Sequence, residues 1–501
     1  MWPNWSRFAS RAYAIEESDL QASTITWGAW GDRRLALAIG LLSAILAASL
    51  LYTPIPLMLL VAVPAIFYFI ARPYELLLLM VFLIPFNFAF KIGSVPVAVE
   101  LLKVFAWIPF LIFLWTRKQS FKTSRYNWCF AVLGGLLLSS LFRSRDLPFT
   151  IKESIRLGSN IGLCYLAVNL VDSREKAFQI FRVLASSTFL VACYGFYQFT
   201  IQDYGALFWI VNPRLDTSLT HGRDTFWEWR NRITSVLTSE MELGHYFNLC
   251  LPVGVALWLT EGRKRVVSKW LLFVVAVLAG LLLTFTFAAW LSLVATTGLF
   301  VLLFGNKQRW KMALAGALVL VLATSVLAFS PLRPFLESKI VGTGIGSLAW
   351  DAYTRLASWT LALQSWWSHP FIGVGYGNFP TLTVGNLEFL TQEWTTSGSS
   401  PHNIYLYILS ELGLIGLGAM VFIFSRTVRT NMQVSDTPEL RYLALALAFA
   451  LITVFVGGCS DDSVLYGPHM SYLVWLFVGM SEAVHNLSAP TSETRSLRVN
   501  E

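Results

Sequence analysis

Long apolar runs, separated by short polar connectors, dominate the chain. Runs near 35–52, 54–71, 73–90, 98–115, 128–142, 154–171 and 178–200 are followed by seven more, near 240–260, 270–285, 286–304, 312–329, 401–424, 440–457 and 467–485. A helix crosses a bilayer in about 20 apolar residues. Several runs fall short of that length and 270–304 divides in more than one way, so the pattern predicts an all-α integral membrane protein with about 12–14 transmembrane helices. Residues 1–34 read as an N-terminal tail without the early apolar core of a cleaved signal peptide. Residues 35–486 read as a single polytopic membrane domain, and 487–501 as a second tail.

Charge then orients the helices. With the N-terminus on the cytoplasmic side, the basic connectors 116–125, 172–176, 261–269, 306–311 and 425–429 all fall to that side, as positive charge does in membrane proteins. Both tails are then cytoplasmic. Two long segments, 201–239 and 330–400, face outward, and their aromatic content predicts interfacial helices at the membrane surface, where tryptophan is favoured.

Composition agrees with this reading. The chain is 55% apolar and 13% charged, against about 25% charged in soluble proteins. The net charge of +8 is mostly topological, carried by cytoplasmic loops, and indicates no nucleic acid. Five cysteines, four of them inside apolar runs, give neither a disulfide framework nor a paired metal spacing.

Against the charge rule, the outward side also holds Arg143, Arg145, Lys152, Arg156, Arg214, Arg223, Arg230, Arg232, Arg333, Lys339 and Arg355. These basic residues are either surface partners of nearby acids such as Asp146, Asp216, Asp224 and Glu228, or donors to a phosphate, whose oxygens match the guanidinium fork. Arg355, Trp359, Ala362 and Trp366 share one helical face. That face suits a lipid-linked anion, or else lipid head groups. The stretch HPFIGVGYGNFP (369–380) places Gly373, Gly375 and Gly377 at alternate positions, a turn signal that lacks the last glycine of a dinucleotide fingerprint and the lysine of a P-loop.

The stretch SSPHNIYLYILSELGLIG (399–416) opens a helix, with Ser400 as its expected cap and Pro401 as its first residue. His402 has three readings. It is a structural hydrogen-bonding residue, a metal ligand, or a general base that titrates near neutrality at the water–membrane boundary. No His-x-x-x-His spacing or adjacent acidic cluster supports the metal reading. Glu411 lies nine residues on, about half a turn around and about 13 Å deeper, so it cannot orient His402 from within the same helix. Glu240, Glu242, Asp461 and Asp462 carry no separate argument.

The run from Arg355 through PFIGVGYGNF to PHNIYLYILSELGLIG resembles the signature region of the O-antigen ligase and O-antigen polymerase superfamily, and RITSVLTSEMELGHYFNLCLP resembles an earlier outward arginine of that family. The resemblance implies a bacterial inner-membrane, multi-pass, metal-independent and cofactor-free glycosyltransferase. It implies an inverting transfer from an undecaprenyl-diphosphate-linked glycan to an acceptor hydroxyl at the periplasmic face. By motif position, His402 takes the role of catalytic base and Arg355 and Arg232 that of diphosphate ligands. Asn403, Gly375, Gly377 and Glu411 are supporting candidates. The implied partners are the lipid-linked donor, a glycan or lipid acceptor and membrane lipids. One departure stands out: where many members carry a Ser-Arg-Gly-Ala-Trp-like stretch, this chain reads TFTFAAW (284–290), without arginine. Two alternatives remain: a polymerase of lipid-linked repeat units, and a small-anion transporter of the bicarbonate kind. A transporter would place its polar groups at broken helices near the membrane midplane.

Overall fold

The computed structural model describes residues 67–86, 89–92, 95–98, 106–117, 120–201, 232–237, 239–262, 268–304, 344–385, 400–434 and 437–488. Two compact units divide the chain, Met1–Tyr68 and Phe69–Glu501, and every element named below lies in the second. The spans expected at 35–52 and 312–329, most of 54–71, the first tail, the second tail beyond Ser488, and Arg214, Arg223, Arg230, Arg333 and Lys339 lie outside the described residues.

The first elements are α1 (Pro73–Leu83), the strands β1 (Ala89–Ile92) and β2 (Val95–Ala98), and α2 (Trp107–Arg117). Next come α3 (Asn127–Phe142), α4 (Leu147–Leu170), α5 (Arg174–Ile201), α6 (Glu240–Leu257, extended by a π turn at Trp258–Gly262), α7 (Lys269–Leu283) and α8 (Phe287–Phe304). Then come α9 (Gly344–Ser368) and α10 (Phe379–Gly385), and the chain continues through α11 (Ile404–Gln433), α12 (Pro438–Gly457), the short α13 (Ser463–Tyr466) and α14 (Pro468–Ser488). Among the described residues, Arg174–Ile201, Glu240–Glu261, Ile404–Gln433 and Pro438–Gly457 are long and apolar enough to cross a membrane. The protein is an all-α integral membrane protein in class, with one small hairpin added.

That hairpin corrects the helical reading of 73–90 and 98–115. Pro85 follows the end of α1, and it has no N–H with which to continue the helical hydrogen-bond ladder. Beyond it, β1 pairs antiparallel with β2, Ala89 opposite Ala98 and Ile92 opposite Val95. β-branched residues at 92, 95 and 97 suit strands, and Pro96 is tolerated in an edge strand.

The helix starts are locally encoded. Asp146 accepts the Phe149 N–H at 3.1 Å at the head of α4, Ser239 accepts the Glu242 N–H at 3.1 Å at α6, and Ser268 accepts the Leu271 N–H at 3.2 Å at α7. Each satisfies one amide that the first turn leaves without a partner. The core is continuous, with Trp475, Tyr126, Tyr246 and Phe181 among its largest fully buried side chains.

α11 is interrupted within the bundle. Gly413 has φ +67 and ψ −167, so the helix stops and restarts there. The turn at 370–375 fills the gap: Val374 N–H donates to Ser410 O (2.8 Å) and Gly375 N–H to Glu411 O (2.9 Å), while Leu414 and Ile415 N–H donate to Pro370 O (2.9 Å) and Phe371 O (3.1 Å). Backbone groups freed by the break are therefore satisfied by protein, a requirement wherever water is excluded.

Candidate functional site

The glycine turn is built before the site it supports. Gly373, Gly375 and Gly377 all have positive φ, +65, +107 and +79. A Cβ on Gly373 would overlap the backbone of Glu411, and one on Gly413 would overlap the backbone of Phe371. Two chain segments thus meet backbone to backbone through a pair of glycines. Arg143 donates to the carbonyls of Gly373 and Ile372, the Ser140 hydroxyl accepts the Tyr376 N–H at 2.8 Å, and Asn378 accepts the Arg145 N–H at 3.1 Å. Glu411 is fully buried and accepts the Phe379 N–H at 3.1 Å, at the first residue of α10. Gly375, Gly377 and Glu411 belong to this scaffold, and Glu411 does not contact the turn bearing His402 through that bond.

The arginines expected to face outward divide accordingly. Arg143 serves the glycine turn, and Arg156 pairs with Glu153 at 2.8 Å, with Lys152 at 3.9 Å from the same carboxylate. Asp146, the acid expected to pair on the surface, caps α4 instead.

The turn before α11 differs from its expected form. The cap is Asn403, whose Oδ1 accepts the N–H groups of Tyr405 (3.0 Å) and Leu406 (3.1 Å), and not Ser400. Ser400 donates to Asp462 Oδ1 at 3.0 Å, and the helix begins at Ile404, beyond Pro401. The 458–462 loop holds the turn from the other side: Ile404 N–H donates to Gly458 O (2.8 Å) and Asn403 Nδ2 to Cys459 O (3.2 Å). His402 has φ +47, a left-handed backbone unusual for a residue with a side chain. Its ring is 45% exposed, with Nδ1 3.8 Å from Asp462 Oδ1, an ion-pair distance and not a hydrogen bond.

Asp462 is almost wholly buried. Burial, and then the adjacent Asp461 carboxylate, push its carboxyl up to about 7, with Ser400 and Arg355 acting in the opposite direction. Arg355, on α9, donates from Nη1 to Ser460 O at 2.9 Å. From the same face of α9, Trp359 Nε1 donates to Pro401 O (2.8 Å) and Trp366 Nε1 to Pro370 O (3.1 Å), and Ala362 is buried. The shared face expected from the helical period is therefore turned onto the loops around His402.

The four acids without an argument each find a basic or imidazole partner. Glu240 pairs with Arg232 at 3.0 Å, Glu242 lies 2.9 Å from His469 Nδ1, Asp461 lies 3.5 Å from His245 Nε2, and Asp462 faces His402. Arg232 and Glu240 stand beside the TFTFAAW turn, because Ile233 N–H donates to Leu283 O (3.2 Å) and Thr286 Oγ1 donates to Glu240 O (3.1 Å). Arg355 and His402 thus meet on the 458–462 loop, whereas Arg232 is seated through α6 and the α7–α8 turn.

Asp461 and Asp462 are the functional candidates that sequence spacing missed. They also give His402 the acidic companions that spacing denied it: ligand atoms of His402, Asp461 and Asp462 lie within 4.8 Å of one another, a group able to offer oxygen and nitrogen to a metal ion. Those oxygens are already engaged, however. Asp461 accepts the Ser463 N–H (3.0 Å) and hydroxyl (2.5 Å), and Asp462 accepts Ser400.

A multi-pass membrane protein with a histidine, two buried acids and an arginine gathered around the 458–462 loop defines a class, and comparison narrows it. Residues 271–422 match the O-antigen ligase family, a span that contains Arg355, the glycine turn, His402 and Glu411 and excludes Arg232, Asp461 and Asp462. The O-antigen ligase of Salmonella typhimurium is 28% identical over 210 residues, covering 40% of this chain and 50% of that protein. The match spans about half the length of that curated relative. Both matches are to O-antigen ligases, and each covers less than half of this chain.

Proposed function

We propose that the protein transfers a glycan from a lipid diphosphate carrier, undecaprenyl diphosphate, to an acceptor hydroxyl at the outer face of the cytoplasmic membrane, with both termini on the cytoplasmic side. The observation that carries this reading is the half-exposed His402 set against buried Asp462 on the loop that Arg355 grips. The imidazole, half exposed and facing Asp462 through Nδ1, is the group assigned to the acceptor hydroxyl. His402 takes the acceptor proton as the hydroxyl oxygen attacks the anomeric carbon. The bond from that carbon to the diphosphate oxygen breaks, its electron pair leaves with the diphosphate, and attack from the opposite side inverts the centre. Asp462 faces the imidazolium as it forms, and guanidinium donors of Arg355 and Arg232 stabilise the charge developing on the leaving group.

The transporter alternative is weakened by the break in α11. Half-helix ends at such a break serve a transported ion only when their backbone groups are free, and here the 370–375 turn occupies them. The test is the purified protein in liposomes, given a polyprenyl-diphosphate glycan and an acceptor. Glycan-dependent product supports the transferase, and uptake of a small anion in the absence of any glycan would replace it with a transporter. Acceptor trials, with a lipid or with a second carrier-bound repeat unit, divide ligase from polymerase.

Two further results are expected. Arg355→Lys keeps the charge but loses the planar fork, so kcat/KM falls about 10- to 100-fold, the range of a lost hydrogen bond to a charged group. Undiminished kcat/KM in that variant would reduce Arg355 to a loop anchor. The second concerns pH. Because the Asp462 carboxyl is raised to about 7, it is largely neutral below that pH and ionised above it. The form that stabilises the imidazolium is therefore gained as pH rises, and transfer increases between about pH 6 and 8. Asp462→Asn should flatten this limb. A wild-type profile in the variant would remove Asp462 from the reaction.

A further inference from the structure

The conformation of the turn that carries His402 needs a cause. Its left-handed backbone (φ +47) is a state that side-chain-bearing residues seldom hold without outside support. Three supports come from one neighbouring segment: Ser400 bridges to Asp462, Asn403 reaches Cys459 O, and Ile404 N–H binds Gly458 O. All three tie the turn to the 458–462 loop. The fourth comes from α9, where Trp359 Nε1 donates to the carbonyl of Pro401, the residue directly before His402.

That fourth contact differs in kind. α9 also reaches the 458–462 loop through Arg355, so one helix holds both the turn that carries His402 and the loop that carries Asp462. The Pro401 carbonyl belongs to the peptide unit that His402 shares, and fixing it restricts the backbone rotations that aim the imidazole. Trp359 is itself only partly buried, so the indole does not serve chiefly to fill the core.

We propose that Trp359 is a positioning residue for His402: its indole N–H holds the 401–402 peptide in the orientation that sets the imidazole opposite Asp462. The proposal rests on the reading of His402 as the base, and it predicts a loss in turnover without a loss in substrate binding. A preorganised group misplaced by a fraction of an ångström slows the chemical step while leaving the carrier and acceptor contacts intact.

The test uses the full-length protein reconstituted in liposomes, with transfer measured over a range of donor and acceptor concentrations. Trp359→Phe removes the N–H and part of the ring. Benzothienylalanine placed at 359 exchanges only the N–H for sulfur, and so separates loss of the hydrogen bond from loss of packing. Both proteins should show kcat lowered about three- to tenfold, the range of one neutral hydrogen bond, with both KM values unchanged. His402→Ala is measured alongside. Wild-type kcat in the benzothienylalanine protein, with His402→Ala inactive, overturns the positioning role and leaves the base intact. A raised donor KM at unchanged kcat also overturns it, making the indole a binding surface. Full activity in His402→Ala defeats the base assignment itself, on which the proposal depends.

Discussion

His402→Ala is expected to lower glycan transfer by about 10²- to 10⁴-fold, the contribution of a positioned general base, while the protein still accumulates in the membrane. The separation between activity and folding follows from the local structure. The cap of α11 is Asn403, and the imidazole is half exposed, so its removal deletes neither a helix cap nor core packing. Backbone strain is the one complication, since alanine tolerates φ +47 less well than histidine does. His402→Asn answers it, because asparagine accepts left-handed backbone readily but cannot act as a base. Both variants should be inactive, and both should leave donor binding near its wild-type strength. Transfer by the asparagine protein at a rate near wild type would exclude proton abstraction by His402.

Apolar helices were legible in the chain because a bilayer imposes a simple rule of length and apolarity. The expected boundaries at 128–142, 286–304 and 440–457 lie within a few residues of α3, α8 and α12. The rule fails where local chemistry intervenes, as at Pro85 and the hairpin after it. It also fails for Ser400, a sound cap by type, whose hydroxyl is taken by Asp462 from 62 positions away. Residue preference cannot anticipate a competitor that only the fold supplies.

The site shows the same division. His402, Arg355 and the aromatic face of α9 stand out by residue type and helical period. Asp461, Asp462 and His245 do not, because their meaning lies in partners contributed by other helices. The acids of GGCSDD gain a role only when the α12–α13 loop is laid against the start of α11. Glu411 shows the converse: conspicuous as an acid inside an apolar run, it is occupied with the amide at the start of α10.

The interruption of α11 was hidden for a related reason, since a glycine within an apolar run reads as a minor weakness of a helix. Its importance is that Gly413 and Gly373 face each other's chain, and this leads to the second large effect. Gly413→Ala is expected to destabilise the protein by more than about 4 kcal/mol, at the exceptional end for single substitutions. Two causes combine. A residue with a Cβ at φ +67, ψ −167, a region held essentially by glycine alone, costs about 1–3 kcal/mol, and the new methyl would overlap backbone atoms of Phe371 that cannot rotate away as a side chain can. Relief requires the 370–375 turn to withdraw. Withdrawal breaks the bonds from Val374 and Gly375 to the upper half of α11, and those from Leu414 and Ile415 back to the turn. Backbone groups so released within the bundle have little water to replace their partners, and each costs about 1–3 kcal/mol. Greatly reduced yield of membrane-inserted protein, or thermal unfolding in detergent many degrees below wild type, is the expected observation. Gly418→Ala, five residues further along α11 with open space around its Cβ position, is the control and should behave as wild type. Equal stability of the two variants would mean that the close approach of Gly413 to Phe371 does not hold α11 and the glycine turn together.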